Sequence, residues 1–297
     1  MAKDVALVLS SGGARGLVHI GVIEELEAQG YHITSVAGSS MGALIGGVYA
    51  AGKLSEFREW MKSINLRKML ELTDFSFSIN HLVKGDKIID AIKEIVPDSL
   101  IEDLPIPYCA IATDWENGQE VVFKDGSLFG AIRASISLPA YYEPVRMNGM
   151  VLIDGGIVNP IPLNRVVRKK GDMLIGADVS GHDYQGQNEL HHFIEERRKN
   201  DKSLSRLILN KLTPDNLLFN YYTLLSRTSS IMIRQNAKLM AQLTHPDMLI
   251  DIQLKRYGTF DYDKSEKLIA LGHTYTQKAI KEYKEKQHSG MFHFLYR

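Results

Sequence analysis

The chain has 297 residues, enough for one large α/β domain with additions or for two domains. Its 35 Lys and Arg residues balance 35 Asp and Glu residues, so the formal net charge is +0 and nothing points to nucleic acid as a partner. The single Cys109 excludes an internal disulfide and suits a reducing compartment. Because the N-terminus also lacks the apolar stretch of a secretory signal, we expect a cytoplasmic protein, with peripheral membrane association left open.

The first part of the chain alternates short apolar runs with glycine-rich turns. Residues 5–9 form an apolar run, and residues 17–26 follow with apolar side chains at helical spacing. The β-branched run 33–36 then leads through a second turn into an apolar, helix-like run at 41–51. This order of strand, turn, helix, strand, turn and helix predicts parallel βαβ units.

The later segments continue this alternation up to about residue 180, where the sequence becomes polar and its pattern mainly helical. We predict a helix at 87–96, a final helix at 265–284, and strands at 108–112, 120–123, 151–153, 173–179 and 248–254. The segment 182–205 is polar and charged, and helical patterning dominates from there to about residue 243. The simplest organisation is one domain, with a core at 1–181 and a mainly helical part at 182–297 packed on it.

Residues 33–52 contain no charged side chain and are long enough to span a membrane. Their Thr, Ser and Gly residues keep the hydrophobicity mediocre, and a buried strand followed by a buried helix explains the same run. We therefore expect no membrane span here.

The pentapeptide Gly38-Ser39-Ser40-Met41-Gly42 occupies the second turn and reads Gly-x-Ser-x-Gly. Between a strand and a helix, this pattern is typical of a turn that exposes a serine hydroxyl at the top of a sheet. Glycines relieve crowding in so tight a turn, and the N-terminus of the following helix favours developing negative charge. The pattern offers Ser40 as a nucleophile in an elbow of Gly38, Met41 and Gly42, although a turn without chemistry fits the same letters.

A nucleophilic serine also needs an oxyanion hole. The first turn, with Gly12, Gly13, Ala14 and Arg15, is the candidate, because glycines let backbone N–H groups approach a substrate oxygen at the start of a helix. A dinucleotide-binding turn is the alternative, but the Gly-x-Gly-x-x-Gly spacing is not met. Arg15 would either anchor this loop or meet an anionic group of the substrate.

Two residue types remain open as the catalytic base. Asp154 ends an apolar strand and precedes Gly155-Gly156, where a loop must bend closely around a site, but its carboxylate could equally cap its own turn. A conventional hydrolase places a histidine later in the chain, and the histidines weighed for this role are His182, His191, His192, His245 and His273. Cys and His residues show no metal-ligand spacing, and we expect neither a metal nor a cofactor.

With these residues in view, the chain resembles the bacterial patatin-like phospholipases over about residues 5–181. Four blocks carry the resemblance in the family's order, namely Gly-Gly-Ala-Arg-Gly at 12–16, the pentapeptide around Ser40, Ala-Ser-Ile-Ser-Leu-Pro at 134–139, and Asp-Gly-Gly at 154–156 followed by Asn-Pro-Ile-Pro at 159–162. The chain departs from the family at Ser10-Ser11, where many members have Gly or Asp.

The resemblance implies a three-layer α/β/α fold with a mostly parallel central sheet and a helical C-terminal elaboration. It also implies a dyad of Ser40 and Asp154 without a catalytic histidine, an oxyanion hole in the first turn, and hydrolysis of lipid acyl esters, as by a phospholipase A, a lysophospholipase or an esterase. A Ser-His-Asp esterase and a non-catalytic lipid-binding or regulatory protein of the same fold are the alternatives.

The expected partner is therefore a lipid or another acyl ester, and transient contact with a membrane surface and a homodimer stay open. The C-terminal segment 291–296 is rich in aromatic residues and follows a basic helix end. This composition suits either a membrane surface or packing against the core or a second subunit.

Overall fold

The computed structural model describes residues 3–64, 66–72, 81–180, 215–254, 257–258 and 261–295. Its strands are β1 Lys3–Leu9, β2 Tyr31–Ser39, β3 His81–Val83, β4 Tyr108–Asp114, β5 Gln119–Phe123, β6 Ala140–Tyr142, β7 Val145–Met147, β8 Met150–Asp154, β9 Met173–Asp178 and β10 Met248–Asp251. Its α-helices are α1 Val18–Ala28, α2 Met41–Ala50, α3 Leu54–Lys62, α4 Leu66–Leu72, α5 Asp86–Lys93, α6 Leu128–Ser135, α7 Asp215–Thr244 and α8 Ser265–Leu295.

Eight strands form the central sheet, in the order β10-β9-β1-β2-β4-β8-β7, with β5 pairing β4 beside this path. The pairs from β10 to β4 are parallel, and the pairs that β4 makes with β5 and β8 are antiparallel, as is β7 with β8. The sheet is mixed: its parallel strands run from the β10 edge to β4, and its antiparallel strands lie beyond β4. The predicted unit of β1, α1 and β2 is confirmed by the parallel pairing of these two strands.

Helices cover both faces of this sheet. Leu7 and Leu9 of β1 join a large apolar cluster with α1, α2 and α8, whereas Val8 points to the other face and joins a cluster with Leu163 and with Ala237 of α7. A central strand with both faces covered is apolar throughout, which explains why residues 5–9 do not alternate with polar ones. The expected three-layer α/β/α fold is confirmed.

The register of the sheet brings two distant loops to the same place. Ser39 at the end of β2 lies opposite Ile111 of β4, and Asp154 at the end of β8 lies opposite the next residue, Ala112. Because β2 and β8 flank β4 on opposite sides, Ser40 and Asp154 emerge at the same level of the sheet.

Several features were not predicted from the sequence, and others lie outside the described residues. The helices α3, α4 and α6 were missed, as were the strands β3, β6 and β7, whose three residues are too few to show an alternating pattern. The predicted helix at 87–96 begins at Asp86 and ends at Lys93. The polar segment 182–205 lies outside the described residues, as do the side chains of 288–297. In the described part, no helix is long and apolar enough to cross a membrane, and the run 33–52 consists of most of β2, all of α2 and the turns that follow each of them.

Candidate active site

Ser40 sits in a strained turn between β2 and α2. Its backbone has φ 54° and ψ −122°, a positive-φ conformation outside the left-handed helical region, and this costs about 1–3 kcal/mol for a residue with a side chain. Only glycine fits on either side. A Cβ on Gly38 would lie 2.2 Å from the Gly42 carbonyl oxygen, and a Cβ on Gly42 would lie 2.1 Å from the Leu9 carbonyl oxygen. The Gly-x-Ser-x-Gly pattern therefore forms a tight strand-to-helix elbow with the serine at its tip.

The Ser40 hydroxyl donates a hydrogen bond to Asp154. Ser40 Oγ and Asp154 Oδ2 are 2.6 Å apart, and the other carboxylate oxygen accepts a hydrogen bond of 2.7 Å from the Gly156 N–H. Burial raises the pKa of Asp154 to about 6, while the hydrogen bonds from Ser40 and Gly156 oppose this rise. At neutral pH the group is a carboxylate, and it is a stronger base than an exposed aspartate.

Three contacts hold these two residues in place. The backbone N–H of Ser40 donates to the Ser135 hydroxyl at 2.8 Å, and the backbone N–H of Asp154 donates to the Ser137 carbonyl oxygen at 2.9 Å. The Thr113 hydroxyl donates to the Asp154 carbonyl oxygen at 2.9 Å. From the sequence, 134–139 was a block of family resemblance with no predicted role, and Thr113 was not predicted because no local pattern distinguishes it.

The glycine-rich turn lies beside the elbow and opens a 3₁₀ turn, Gly13–Leu17, that leads into α1. Among the described residues, no group accepts a hydrogen bond from the N–H of Gly12 or Gly13, and both residues line the same cavity as Ser40. The Arg15 Nε–H donates to the Gly12 carbonyl oxygen at 3.3 Å, a contact of the loop-anchoring kind. Unused N–H groups at a helix start are suited to binding an oxyanion.

Ser40 and Asp154 line a cavity of about 280 Å³ whose other walls are largely apolar. The apolar walls come from helices α2, α3, α5 and α7 and from the segment after α6. The apolar lining residues include Leu44, Phe57, Trp60, Met61, Ile88, Ile92, Ile136, Leu138, Ile231 and Ile233. Walls of this kind are suited to an apolar ligand, and the polar pair lies on the same cavity.

The side chains of His19, His32 and His273 make their hydrogen bonds away from Ser40, and His245 lines a different cavity from that of Ser40. His19 Nε2 lies 2.9 Å from the Ser10 carbonyl oxygen, His32 bonds Asp4, and His273 lies between two glutamates of α1. His182, His191 and His192 lie outside the described residues. Within the described part of the chain, no group of three His, Cys, Asp or Glu residues could hold a metal ion.

An α/β/α fold with a serine at a strand-to-helix elbow is typical of serine hydrolases, and comparison with known families agrees with this class. A family model described as patatin-like phospholipase matches residues 7–167, more than half of the chain, and the chain therefore belongs to this family.

Particular relatives extend the comparison. An NTE family protein of Mycobacterium tuberculosis is 48% identical over 177 residues, which are 60% of this chain and 49% of the relative. Patatin-like phospholipase domain-containing protein 6 of Homo sapiens is 36% identical over 61% of this chain and 14% of its own length. The chain matches about half the length of the mycobacterial relatives that are 48% identical to it. The solved structure of VipD from Legionella pneumophila aligns with a TM-score of 0.50 at 15% identity, covering 95% of this chain and 67% of VipD, and supports the fold alone.

Proposed function

We propose that this chain is a serine acyl hydrolase that cleaves acyl esters of lipids, with Ser40 as nucleophile and Asp154 as base. The observation that carries the proposal is the 2.6 Å hydrogen bond from the Ser40 hydroxyl to the Asp154 carboxylate at the tip of a strained elbow. Membership of the patatin-like phospholipase family supports the class of reaction. The apolar cavity that opens onto this pair supports a substrate with a hydrocarbon chain.

In the acylation half of the reaction, Asp154 takes the proton of the Ser40 hydroxyl as Ser40 Oγ attacks the ester carbonyl carbon. The N–H groups of Gly12 and Gly13 receive the negative charge that develops on the carbonyl oxygen, with Ala14 completing the loop and the Met41 N–H assisting. The proton then passes from Asp154 to the leaving alcohol, and the acyl group stays on Ser40.

In the deacylation half, a water molecule replaces the alcohol. Asp154 accepts a proton from the water, and the water oxygen attacks the acyl carbon. The bond between the acyl carbon and Ser40 Oγ breaks, and the proton returns from Asp154 to Ser40. One ester bond and one water molecule are consumed, and a carboxylic acid and an alcohol are released.

The test is ester turnover by Ser40→Ala and Asp154→Asn, with Ser55→Ala and Asp125→Asn as matched controls at exposed positions. Using p-nitrophenyl butyrate, we expect each site variant to lose at least about a thousandfold in kcat/KM while remaining folded by circular dichroism, and each control to retain wild-type turnover. Wild-type turnover by either folded site variant would contradict the dyad. A wild-type protein that binds lipid but hydrolyses no ester would favour the non-catalytic alternative.

We also infer a single domain in which the part 182–297 packs on the core 1–181.

The lipid substrate of the proposed reaction would be met at a membrane surface. The aromatic segment 291–296 is the candidate for membrane or subunit contact, and its side chains lie outside the described residues. Truncation after Ser289 tests this segment. Weaker liposome binding with an unchanged oligomeric state and melting temperature would support a membrane role. A smaller oligomer or a lower melting temperature would support packing against the core or a second subunit.

A further inference from the structure

Helix α7 exposes a row of large apolar side chains. Five of its residues are 45–76% exposed, namely Leu224, Ile231, Met232, Leu239 and Leu243. At about 3.6 residues per turn, they lie within about a third of the helix circumference and extend along about 30 Å of its length. Single exposed apolar residues are ordinary, but a row on one side of a helix indicates an interaction site. We call these five residues the outer face of α7.

The opposite side of α7 is held on the core of the protein. Ala237 is buried in the apolar cluster that contains Val8 of β1. The side-chain amide of Asn236 donates a hydrogen bond of 2.8 Å to the Ile157 carbonyl oxygen, close to the loop of Asp154. Because these contacts fix the rotation of the helix, the outer face points away from the sheet.

The charged residues of α7 are almost all cations. From residue 216 to 244 the sequence contains Arg227, Arg234 and Lys238 and no Asp or Glu. Arg234 and Lys238 lie one turn apart, along one edge of the outer face. They share a second cavity with Asp178 and Asp251, but neither cation forms an ion pair with a described carboxylate. An apolar helix face edged by Lys and Arg is typical of helices that lie in the surface of an anionic bilayer.

The cavity of Ser40 reaches the protein surface at this face. Ile231 lines that cavity and is also 53% exposed, so one residue of the outer face borders both the cavity and solvent. Ile233 and Arg234 of the same helix line the cavity as well. An entrance beside a membrane-bound face would spare an apolar chain from passing through water.

A second copy of the chain is a less suitable occupant of the outer face than a lipid surface. Two antiparallel α7 helices related by a two-fold axis would place their cationic edges on the same side of the interface. The stretch 216–244 offers no carboxylate to pair these cations. Anionic lipid head groups supply negative charge along the whole edge.

We propose that the outer face of α7 docks on an anionic lipid bilayer and that the cavity of Ser40 opens toward this bilayer. Arg234 and Lys238 meet the head groups, and the five apolar side chains enter the boundary between head groups and acyl chains. The role of this surface in delivering substrate rests on the proposed function, whereas the docking itself is measured without any turnover.

The first experiment measures docking by cosedimentation with liposomes of phosphatidylcholine and phosphatidylglycerol. We expect Leu239→Glu and Leu243→Glu each to weaken binding at least about tenfold, because each removes an inserted leucine and adds a charge that the bilayer repels. Leu100→Glu is the matched control. Leu100 is an exposed leucine that pairs with Ser127 at the start of α6, the end of that helix remote from Ser135.

The cationic edge is tested with the same liposomes. We expect Lys238→Gln to weaken binding about fivefold on the anionic liposomes and to have no effect on phosphatidylcholine alone. Lys124→Gln, at an exposed position outside α7, is the control and should bind as the wild type does.

A soluble ester separates docking from chemistry. Neither Leu239 nor Leu243 is among the described residues that line the cavity of Ser40. Leu239→Glu and Leu243→Glu should therefore keep wild-type turnover of p-nitrophenyl butyrate in solution. On p-nitrophenyl palmitate embedded in the anionic liposomes, we expect both to lose at least about tenfold.

A fluorophore on the outer face reports contact directly. The native Cys109 is buried, and burial raises the pKa of its thiol to about 12, so a cysteine introduced at the surface is labelled selectively. Gln235 is exposed between the apolar residues of the outer face. Gln235→Cys with a polarity-sensitive dye should shift its emission to the blue when the liposomes are added, and labelled Leu100→Cys should not.

The outcomes distinguish this surface from the proposed function. Wild-type liposome binding by both leucine variants, or no blue shift from labelled Gln235→Cys, would overturn the docking role of α7 and leave the proposed function standing. A smaller oligomer of Leu243→Glu by sedimentation velocity, with unchanged liposome binding, would also overturn it and assign the face to a second copy. A wild-type protein that binds the liposomes through α7 but turns over neither ester would overturn the proposed function alone.

Discussion

The backbone N–H of Ser40 donates a 2.8 Å hydrogen bond to the hydroxyl of Ser135, which is fully buried at the end of α6. Two residues further on, the Ser137 carbonyl oxygen accepts from the backbone N–H of Asp154. One short segment therefore fixes both the loop that carries the proposed nucleophile and the loop that carries the proposed base. The distance between these two loops therefore depends on the position of α6.

Replacing Ser135 with alanine should therefore impair catalysis without removing any group that meets the substrate. The Ser40 N–H would lose its partner, and the strained elbow would relax. We expect kcat to fall by about ten- to a hundredfold with little change in KM, because a misplaced nucleophile affects the chemical step more than binding. Steady-state kinetics on p-nitrophenyl butyrate checks this, with Ser55→Ala as the control. Unchanged kcat in Ser135→Ala would show that the elbow keeps its geometry without the hydrogen bond to Ser135.

The raised pKa of Asp154 sets the pH dependence of turnover. Burial raises this pKa to about 6, and the base must be deprotonated to accept the Ser40 proton. We expect kcat/KM to rise tenfold per pH unit below about pH 6 and to level off above it. A pH–rate profile from 4 to 8 on a short-chain ester measures this. If kcat/KM instead levelled off already near pH 4, where an exposed aspartate titrates, the base would not be the buried Asp154.

The same pKa predicts a cost in stability. The folded-state pKa of Asp154 lies above its ordinary value, so its contribution to stability is full below the ordinary value and is lost as the pH rises through about 6. Asp154→Asn carries no charge to bury. We expect the stability of Asp154→Asn relative to wild type to be about 3 kcal/mol higher at pH 8 than at pH 4.

Urea denaturation of wild type and Asp154→Asn at both pH values measures this difference. Asp125→Asn, at an exposed position, serves as the control and should track the wild type throughout. A gain that is the same at pH 4 and pH 8 would mean that the charge of Asp154 is not its source.

The apolar cavity should set the preferred acyl-chain length. Ile88 of α5 lines the cavity, whereas Ile95, just beyond the same helix, packs against the core without lining it. In Ile88→Trp the larger side chain fills space that a long chain would occupy. We expect at least about a tenfold loss of kcat/KM for p-nitrophenyl decanoate and less than about threefold for the butyrate. Ile95→Trp should not change this ratio. Equal losses on both esters in Ile88→Trp would contradict a chain-binding cavity.

Much of the fold was predictable from local patterns. The apolar run 5–9, the glycine-rich turn and the helical spacing after it predicted β1, α1 and their order, because each signal lies within a few residues. Ser40 was recognisable for the same reason, since its elbow needs glycine at fixed positions on either side. The partner of Ser40 was not decided by the residues alone, which left Asp154 and several histidines open.

What the sequence could not supply is long-range register. Asp154 meets Ser40 only because β2 and β8 flank β4, and these two strands are separated by more than a hundred residues. Thr113 and Ser135 act through the same pairing, and neither has a local feature that sets it apart from other buried hydroxyls.

The most direct test of the account is covalent labelling of Ser40 by a fluorophosphonate, which reacts with activated serines. We expect stoichiometric labelling of the wild type, with the adduct on the Ser40 peptide by tandem mass spectrometry. We also expect no labelling of Ser40→Ala, and labelling of folded Asp154→Asn that is slowed by at least about a hundredfold. Labelling of Asp154→Asn at the wild-type rate, or an adduct on any serine other than Ser40, would contradict it.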